Sequence, residues 1–129
     1  MTYLLDTHVL YWHLFDPSKL STASRQAIDD GESGKASLVV PALVLAELYY
    51  LLCKAQVGDL LPDIAADPKS LPSCRIEPIT LEDVLNLTAC SEVPEMHDRL
   101  IVAVSLRLAA TLITKDRVIQ ASPRIVWLW

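Results

Sequence analysis

Four acidic side chains interrupt or border apolar segments of the chain: Asp6, Glu47, Asp98 and Asp116. Asp6 ends a short apolar run, and Glu47 divides a longer one. Asp98 begins a helix-like segment, and Asp116 follows a strand-like one. A buried carboxylate without a partner costs several kcal/mol, which is comparable to the net stability of a small domain. The pattern therefore indicates one shared partner for the four carboxylates, and a divalent cation is the natural candidate.

Carboxylate oxygens favour hard cations, so we expect Mg²⁺ or Mn²⁺ rather than Zn²⁺ at such a cluster. Without a cation, mutual repulsion would raise the pKa values of the four groups. A bound divalent ion can activate water and neutralise charge on a phosphate. The acids therefore predict a metal-dependent site for phosphodiester hydrolysis.

Each of these acids also has a structural explanation. Asp98 and Asp116 fit the N-cap position of a helix, and Asp6 fits a turn after a strand. Glu47 is harder to explain in this way, because its sequence neighbours are apolar. A buried ion pair with an arginine is its best structural alternative. The four acids together are more specific than any one of them.

Three residues beside these acids are weaker candidates. Thr7 fits a residue that orients Asp6 or one that only caps a helix. Thr114 fits either a hydrogen bond to a site carboxylate or a plain strand residue. His97 could contact phosphate, although its place before Asp98 is more typical of an exposed loop.

Short apolar segments alternate with helix-like segments along the whole chain. Strands are predicted at residues 3–5, 37–40, 75–79, 111–114 and 125–128. Helices are predicted at residues 7–15, 22–30, 41–56, 60–66, 80–90 and 98–109. A loop is predicted at 94–97, and the proline-containing region 59–72 is turn-like apart from its short helix. Thr80 with Asp83 resembles a capping box. Continuous apolar strands alternating with helices indicate a parallel sheet with helices on both faces.

The carboxyl edge of this predicted sheet is where the four acids can meet. Ligands bind outside the carboxyl ends of the strands in open parallel sheets. Asp6 and Asp116 directly follow predicted strands and therefore belong to that edge. Asp98 at a helix start and Glu47 in the second turn of its helix can reach the same side.

Composition limits the class of protein. The chain has 129 residues, which fits one domain covering residues 1–129. With 52% hydrophobic residues, the chain has either a leucine-rich core or an additional partner surface. The longest apolar stretch is broken by Pro41 and Glu47, and the first residues have no basic segment, so we expect neither a membrane span nor a signal peptide. Three cysteines without paired spacing are typical of reduced thiols in a cytoplasmic protein.

The net charge of −5 means that bulk charge does not steer this chain to nucleic acid. Local basic character is possible in the last third, which contains Arg99, Arg107, Lys115, Arg117 and Arg124. The tryptophans can stack on nucleic-acid bases, but core or subunit packing is the better explanation for Trp12, Trp127 and Trp129. Binding of nucleic acid would therefore have to be local and assisted by metal.

Four short motifs together resemble the PIN-domain family, and in particular VapC-type toxins of type II toxin–antitoxin systems. They are Leu-Leu-Asp-Thr-His-Val-Leu from residue 4, Leu-Ala-Glu ending at Glu47, Asp-Arg-Leu-Ile-Val-Ala from Asp98, and Thr-Lys-Asp ending at Asp116. Each motif is short, but they occur in order and span nearly the whole chain.

The resemblance implies a three-layer α/β/α sandwich with a central parallel sheet of about five strands. It also implies an endoribonuclease that uses Mg²⁺ or Mn²⁺, forms a homodimer and is inhibited by a cognate antitoxin. The family's acids correspond to Asp6, Glu47, Asp98 and Asp116, of which Asp6 and Asp98 would make the firmest metal contacts. Two departures are Pro41-Ala42-Leu43, where relatives have Ser or Thr, and the loop at residues 94–97.

Two other functions compete with the nuclease. A PIN-like domain without activity could bind RNA or a protein. The four acids speak against this alternative, because a site without catalytic function would not need such costly carboxylates. A receiver-like phosphoacceptor also gathers acids at a sheet edge. That alternative fits poorly, because Asp6 is followed by Thr7 rather than by a second acid and Val40 is followed by Pro41.

Overall fold

The structure, a computed structural model, describes residues 1–67, 69–71 and 73–129. Pro68 and Pro72, part of the predicted proline-containing loop, lie outside the described residues. The strands are β1 (Thr2–Leu5), β2 (Ser37–Pro41), β3 (Cys74–Glu77), β4 (Thr111–Ile113) and β5 (Val126–Leu128). The α-helices are α1 (Thr7–Phe15), α2 (Thr22–Glu32), α3 (Ala42–Lys54), α4 (Leu61–Ala66), α5 (Leu81–Leu85), α6 (Met96–Arg107) and α7 (Arg117–Gln120). Short 3₁₀ turns cover Pro17–Lys19, Gly58–Leu60 and Asn86–Cys90.

The five described strands form one sheet in the order β3-β2-β1-β4-β5, and every neighbouring pair is parallel. The central strands are apolar because both of their faces are covered, and Leu4, Val39 and Leu112 are fully buried. The predicted three-layer α/β/α sandwich with five parallel strands is therefore confirmed.

The strand order places a reversal at the centre of the sheet. From β1 the chain moves outward through β2 to β3, and from β4 it moves outward in the other direction to β5. Crossovers between parallel strands are almost always right-handed, so the two directions place their helices on opposite faces. The carboxyl ends of β1 and β4 lie on either side of this switch point, which is where ligands bind in such sheets.

Helix α3 shows how the core and the candidate site share one element. Val44, Leu48 and Leu52 recur every four residues and form its buried stripe. Glu47 precedes Leu48 by one position, so it lies on the flank of that stripe. The sequence thus anchors the helix through its apolar face and leaves the glutamate at the border of the core.

Several predicted helix boundaries were wrong. Pro41 ends β2, so α3 begins one residue later, and the predicted helix 80–90 is α5 followed by a 3₁₀ turn. Helix α6 begins at Met96, so His97 is helical rather than part of a loop. In the described part of the chain, no helix is both long enough and apolar enough to cross a membrane.

Candidate active site

Asp6 is the most buried of the four acids, with 7% of its surface exposed. It directly follows β1 and caps α1, and its Oδ1 accepts a hydrogen bond of 2.7 Å from the Thr7 N–H. Its Oδ2 accepts a hydrogen bond of 2.6 Å from the Thr114 hydroxyl. Burial raises the pKa of Asp6 above its ordinary value, and these two hydrogen bonds only partly oppose the rise. Asp6 is therefore held rigidly, with lone pairs still free for a further partner.

Thr114 links the ends of β1 and β4. Its side chain is fully buried, and its hydroxyl oxygen accepts a hydrogen bond of 3.0 Å from the Asp116 N–H while donating to Asp6. Asp116 caps α7, because its Oδ1 accepts hydrogen bonds from the N–H groups of Val118 (2.7 Å) and Ile119 (3.2 Å). The structure thus shows Thr114 bonded to a candidate site carboxylate and Asp116 as a helix cap.

Glu47 approaches the same edge from α3. Its Oε1 accepts a hydrogen bond of 3.0 Å from the Thr7 hydroxyl, so Thr7 orients Glu47 through its side chain and Asp6 through its backbone. Burial raises the pKa of Glu47 despite the hydrogen bond from Thr7. The structural alternative of an ion pair with an arginine is wrong, since Glu47 forms no salt bridge with any described residue.

Asp98 lies in the first turn of α6 but does not cap it. Glu95 is the N-cap, and its Oε2 accepts a hydrogen bond of 2.8 Å from the Asp98 N–H. The cap explanation for Asp98 is therefore wrong, and its side chain is free for another role. Burial first, and then the negative charges of Asp116, Asp6 and other nearby acids, raise the pKa of Asp98 to about 7.

The four acids share one electrostatic environment, although their burial differs. Asp6 is buried, Glu47 and Asp98 are half-buried, and Asp116 is exposed, so the expectation that all four are buried was wrong. None of the four forms a salt bridge with a described residue. Among the described residues, no group of three or more His, Cys, Asp or Glu side chains is already arranged to hold a metal ion. The other three acids therefore lie near enough to raise the pKa of Asp98, after burial, but the four do not form a closed ligand shell.

Two hollows open at this edge of the sheet, and His8 lines both. One hollow, of about 260 Å³, is lined by Thr7, His8, Glu47, Tyr50, Leu51 and His97. The second, which we name the acidic hollow, has a volume of about 240 Å³ and is lined by Asp6, His8, Trp12, Lys115 and Asp116. Glu47 is thus accessible from the first hollow, and Asp6 and Asp116 are accessible from the acidic hollow.

Sequence reasoning did not single out Glu95 or His8. Glu95 caps α6, and its charge adds to those that raise the pKa values of Asp98 and Glu47. Its position three residues before Asp98 is the spacing of an N-cap acceptor, which was the available signal. The position of His8, two residues after Asp6, explains its place beside both hollows.

The sequence model of the PIN domain matches residues 3–124. The chain belongs to the PIN-domain family. It is 32% identical over 132 aligned residues to Ribonuclease VapC22 of Mycobacterium tuberculosis, and the match covers 99% of this chain and 98% of that protein. This PIN domain thus matches a ribonuclease over nearly its full length.

Solved structures show the same PIN fold at low sequence identity. VapBC2 from Rickettsia felis, bound to a DNA fragment from its promoter, matches with a TM-score of 0.75 at 17% identity, covering 99% of this chain and 98% of that one. A toxin–antitoxin complex from Klebsiella pneumoniae matches with a TM-score of 0.65 at 17% identity, covering 96% and 95%. At these identities the two structures support the fold.

Proposed function

We propose that this PIN-domain protein is a metal-dependent endoribonuclease that hydrolyses RNA phosphodiester bonds. The observation that carries the proposal is the group of four carboxylates at the topological switch point, none of them neutralised by a described cationic side chain. Burial first, and then the neighbouring acids, raise the pKa of Asp98, so this carboxyl disfavours its ionised form when no cation is near. Similarity to a ribonuclease over nearly the whole chain supports RNA as the substrate.

The donor chemistry of the site fits Mg²⁺ or Mn²⁺. All four side chains offer carboxylate oxygens, which hard cations prefer, and the oxygens of Asp6 and Asp116 keep lone pairs beyond those used by their hydrogen bonds. Asp6 and Asp98 are the proposed main ligands, and Glu47 and Asp116 complete the set. When bound, the ion would supply charge neutralisation on the phosphate and activation of water.

The chain's own residues prepare the site by fixing the acids. Thr7 and Thr114 together donate three hydrogen bonds to the carboxylates of Asp6 and Glu47. These two carboxylates are therefore already oriented and need little rearrangement to bind a cation. Asp98, with a pKa of about 7, is partly protonated at neutral pH in the absence of a cation. A cation beside it would favour the ionised form, because opposite charge lowers a carboxyl pKa.

The proposal extends to a toxin role with two kinds of protein partner. A cognate antitoxin is supported by the fold shared with a toxin–antitoxin complex. A homodimer is supported by exposed apolar side chains on α5, where Leu81 is 73%, Val84 47% and Leu85 65% exposed. The expected location is the cytoplasm, where RNA is available and where the thiols of this chain would stay reduced.

Cleavage of a mixed RNA substrate by antitoxin-free protein tests the proposal. Wild-type protein is compared in Mg²⁺, Mn²⁺ and EDTA with Asp6→Asn, purified identically to detect contaminating ribonuclease. Asp29→Asn makes the same chemical change at an exposed position of α2 and serves as the matched control. We expect metal-dependent cleavage by the wild type and the control, and a loss of about 100-fold or more in Asp6→Asn. Equal cleavage by all three proteins would point to contamination and contradict the proposed site.

A further inference from the structure

A group of aromatic and basic side chains beside the acidic hollow has no part in holding the carboxylates. Trp127 lies on β5, the edge strand, and Trp129 follows two residues later, so both point to the same face of the sheet. They line a groove of about 330 Å³, which we name the aromatic groove. Its lining residues are Lys115, Arg117, Gln120, Trp127 and Trp129.

Lys115 joins this groove to the acidic hollow, because it lines both. Its ammonium group lies 5.6 Å from the ring centroid of Trp12 and 5.5 Å from that of Trp129. The two rings lie 5.7 Å apart with an interplanar angle of 59°. Cation–π attraction at these distances holds the charge of Lys115 at the boundary between the two hollows.

Lys115 and Arg117 differ from the other basic residues of the last third. Arg107 and Arg124 form salt bridges with acids, and the Arg99 guanidinium donates to the Val93 carbonyl. Within the described ranges, neither Lys115 nor Arg117 has a salt-bridge partner. In a chain with a net charge of −5, two available cations beside the same groove mark a local site for an anion.

Trp127 provides the second half of such a site. It is 43% exposed, whereas Trp12 and Trp129 are half-buried against each other and against Lys115. An exposed indole next to available cations is the combination that binds single-stranded nucleic acid, in which bases stack on aromatic rings and cations follow the backbone.

We propose that the aromatic groove binds the single-stranded RNA next to the scissile phosphate. One base stacks on Trp127, and the adjoining phosphates contact Lys115 and Arg117. The inference rests on the proposed nuclease function and names the substrate form that the site accepts. Charge complementarity and continuity with the acidic hollow favour this occupant over an apolar protein segment.

Binding of a fluorescent RNA of about 12 nucleotides, a length that one such site can cover, tests the inference. Fluorescence anisotropy in EDTA separates binding from cleavage. Trp127→Leu removes the stacking ring, and Trp127→Phe retains one as its matched control. Lys115→Gln and Arg117→Gln remove the cations, while Lys54→Gln removes the same charge from the exposed end of α3, outside both hollows.

We expect Trp127→Leu to weaken single-strand binding by roughly 5- to 150-fold, the range for loss of one stacked base. Trp127→Phe should retain most of the affinity, and binding of duplex RNA should not respond to either change. Lys115→Gln and Arg117→Gln should each reduce the slope of log affinity against log salt by about 0.7, and Lys54→Gln should leave it unchanged. Circular dichroism checks that each variant is folded.

Two results would overturn the proposal that the aromatic groove binds RNA, without contradicting the proposed nuclease function. One is wild-type protein that cleaves RNA in Mg²⁺, with Trp127→Leu, Lys115→Gln and Arg117→Gln binding single strands as the wild type does. The other is normal RNA binding by these variants together with lost binding of a poly-glutamate peptide, which would assign the groove to an acidic protein segment. Wild-type protein that neither binds nor cleaves RNA would overturn both proposals.

Discussion

Asp83 and Asp98 occupy the same position, the third residue of a helix, at two different places in the molecule. Burial opposes the charge of Asp83, but hydrogen bonds from Arg107 and Thr80 outweigh it and hold the pKa of that carboxyl below its ordinary value. Burial and neighbouring acids raise the pKa of Asp98 to about 7. An aspartate at the same helix position therefore has a lowered pKa at one place in the molecule and a raised pKa at the other.

The surroundings of Asp83 show what a structural acid needs. Its carboxylate is fully buried, and the Arg107 guanidinium donates to it at 2.8 and 3.0 Å. The same arginine donates to Glu77 at 2.8 Å, so this one cation joins α5, β3 and α6. At the candidate site, Asp6, Glu47 and Asp116 accept hydrogen bonds, but none of the four acids has such a cation among the described residues. This difference fits a stabilising role for Arg107 with its two acids and the metal-binding role that we propose for the other four.

Arg107, Asp83 and Glu77 form what we name the structural cluster. Removing its cation should give the largest effect on stability. Arg107→Met leaves the buried Asp83 without a cationic partner and Glu77 with only the exposed Arg75. We expect a loss of about 3–5 kcal/mol in the free energy of unfolding, measured with urea. Arg124→Met is the matched control, because the pair of Arg124 with Glu92 is solvent-exposed and should contribute at most about 1 kcal/mol. Equal losses in the two variants would contradict the structural role of Arg107.

Removing a hydroxyl from the candidate site should have a smaller effect on stability and a clear effect on activity. Thr114→Val deletes the donor to Asp6 and the acceptor for the Asp116 N–H, so we expect a loss of about 1–3 kcal/mol. RNA cleavage should fall by roughly 10- to 100-fold, as is typical when the support of a metal ligand is lost. Thr114→Ser retains the hydroxyl and should retain most of the activity. Full activity in Thr114→Val would show that Asp6 needs no such support.

Acidification should weaken the structural cluster in a defined range. Because the folded-state pKa of Asp83 lies below its ordinary value of 3.8, its contribution to stability is present above that pH and is lost as the pH falls through the folded-state pKa. The stability difference between the wild type and Asp83→Asn should therefore be constant near neutral pH and narrow below about pH 4. Urea unfolding of both proteins, from neutral pH to below about pH 4, measures this stability difference. A difference that widens on acidification would contradict the lowered pKa.

The sheet, and the placement of candidate acids at its carboxyl edge, could be predicted from local patterns. Short apolar strands indicate a sheet that is buried on both faces. An acid directly after such a strand lies at the carboxyl edge of that sheet. The capping box of Thr80 and Asp83 was also predicted, and both of its hydrogen bonds are present. These features depend on residues that are close together in the chain.

The features that sequence reasoning missed depend on contacts across the chain. Arg107 was considered a candidate for local basic character, but it contacts acids 24 and 30 residues away. The start of α6 was misplaced because Glu95, a less common cap than Ser, Thr or Asp, takes the N-cap position. The role of Thr7 as a donor to Glu47, 40 residues away, likewise requires the tertiary structure.

The sign of the stability change in Asp98→Asn tests the central claim most directly. At about pH 8, above its raised pKa, ionised Asp98 opposes folding, whereas its place in the first turn of α6 favours a negative charge by only about 0.3–1 kcal/mol. In EDTA we therefore expect urea unfolding to show Asp98→Asn as more stable than the wild type, by on the order of 1 kcal/mol, and Asp83→Asn as less stable. Mg²⁺ or Mn²⁺ should then stabilise the wild type and have little effect on Asp98→Asn. Loss of stability in Asp98→Asn in EDTA, with an equal response of both proteins to metal, would contradict the claim that these acids are kept unpaired for a cation.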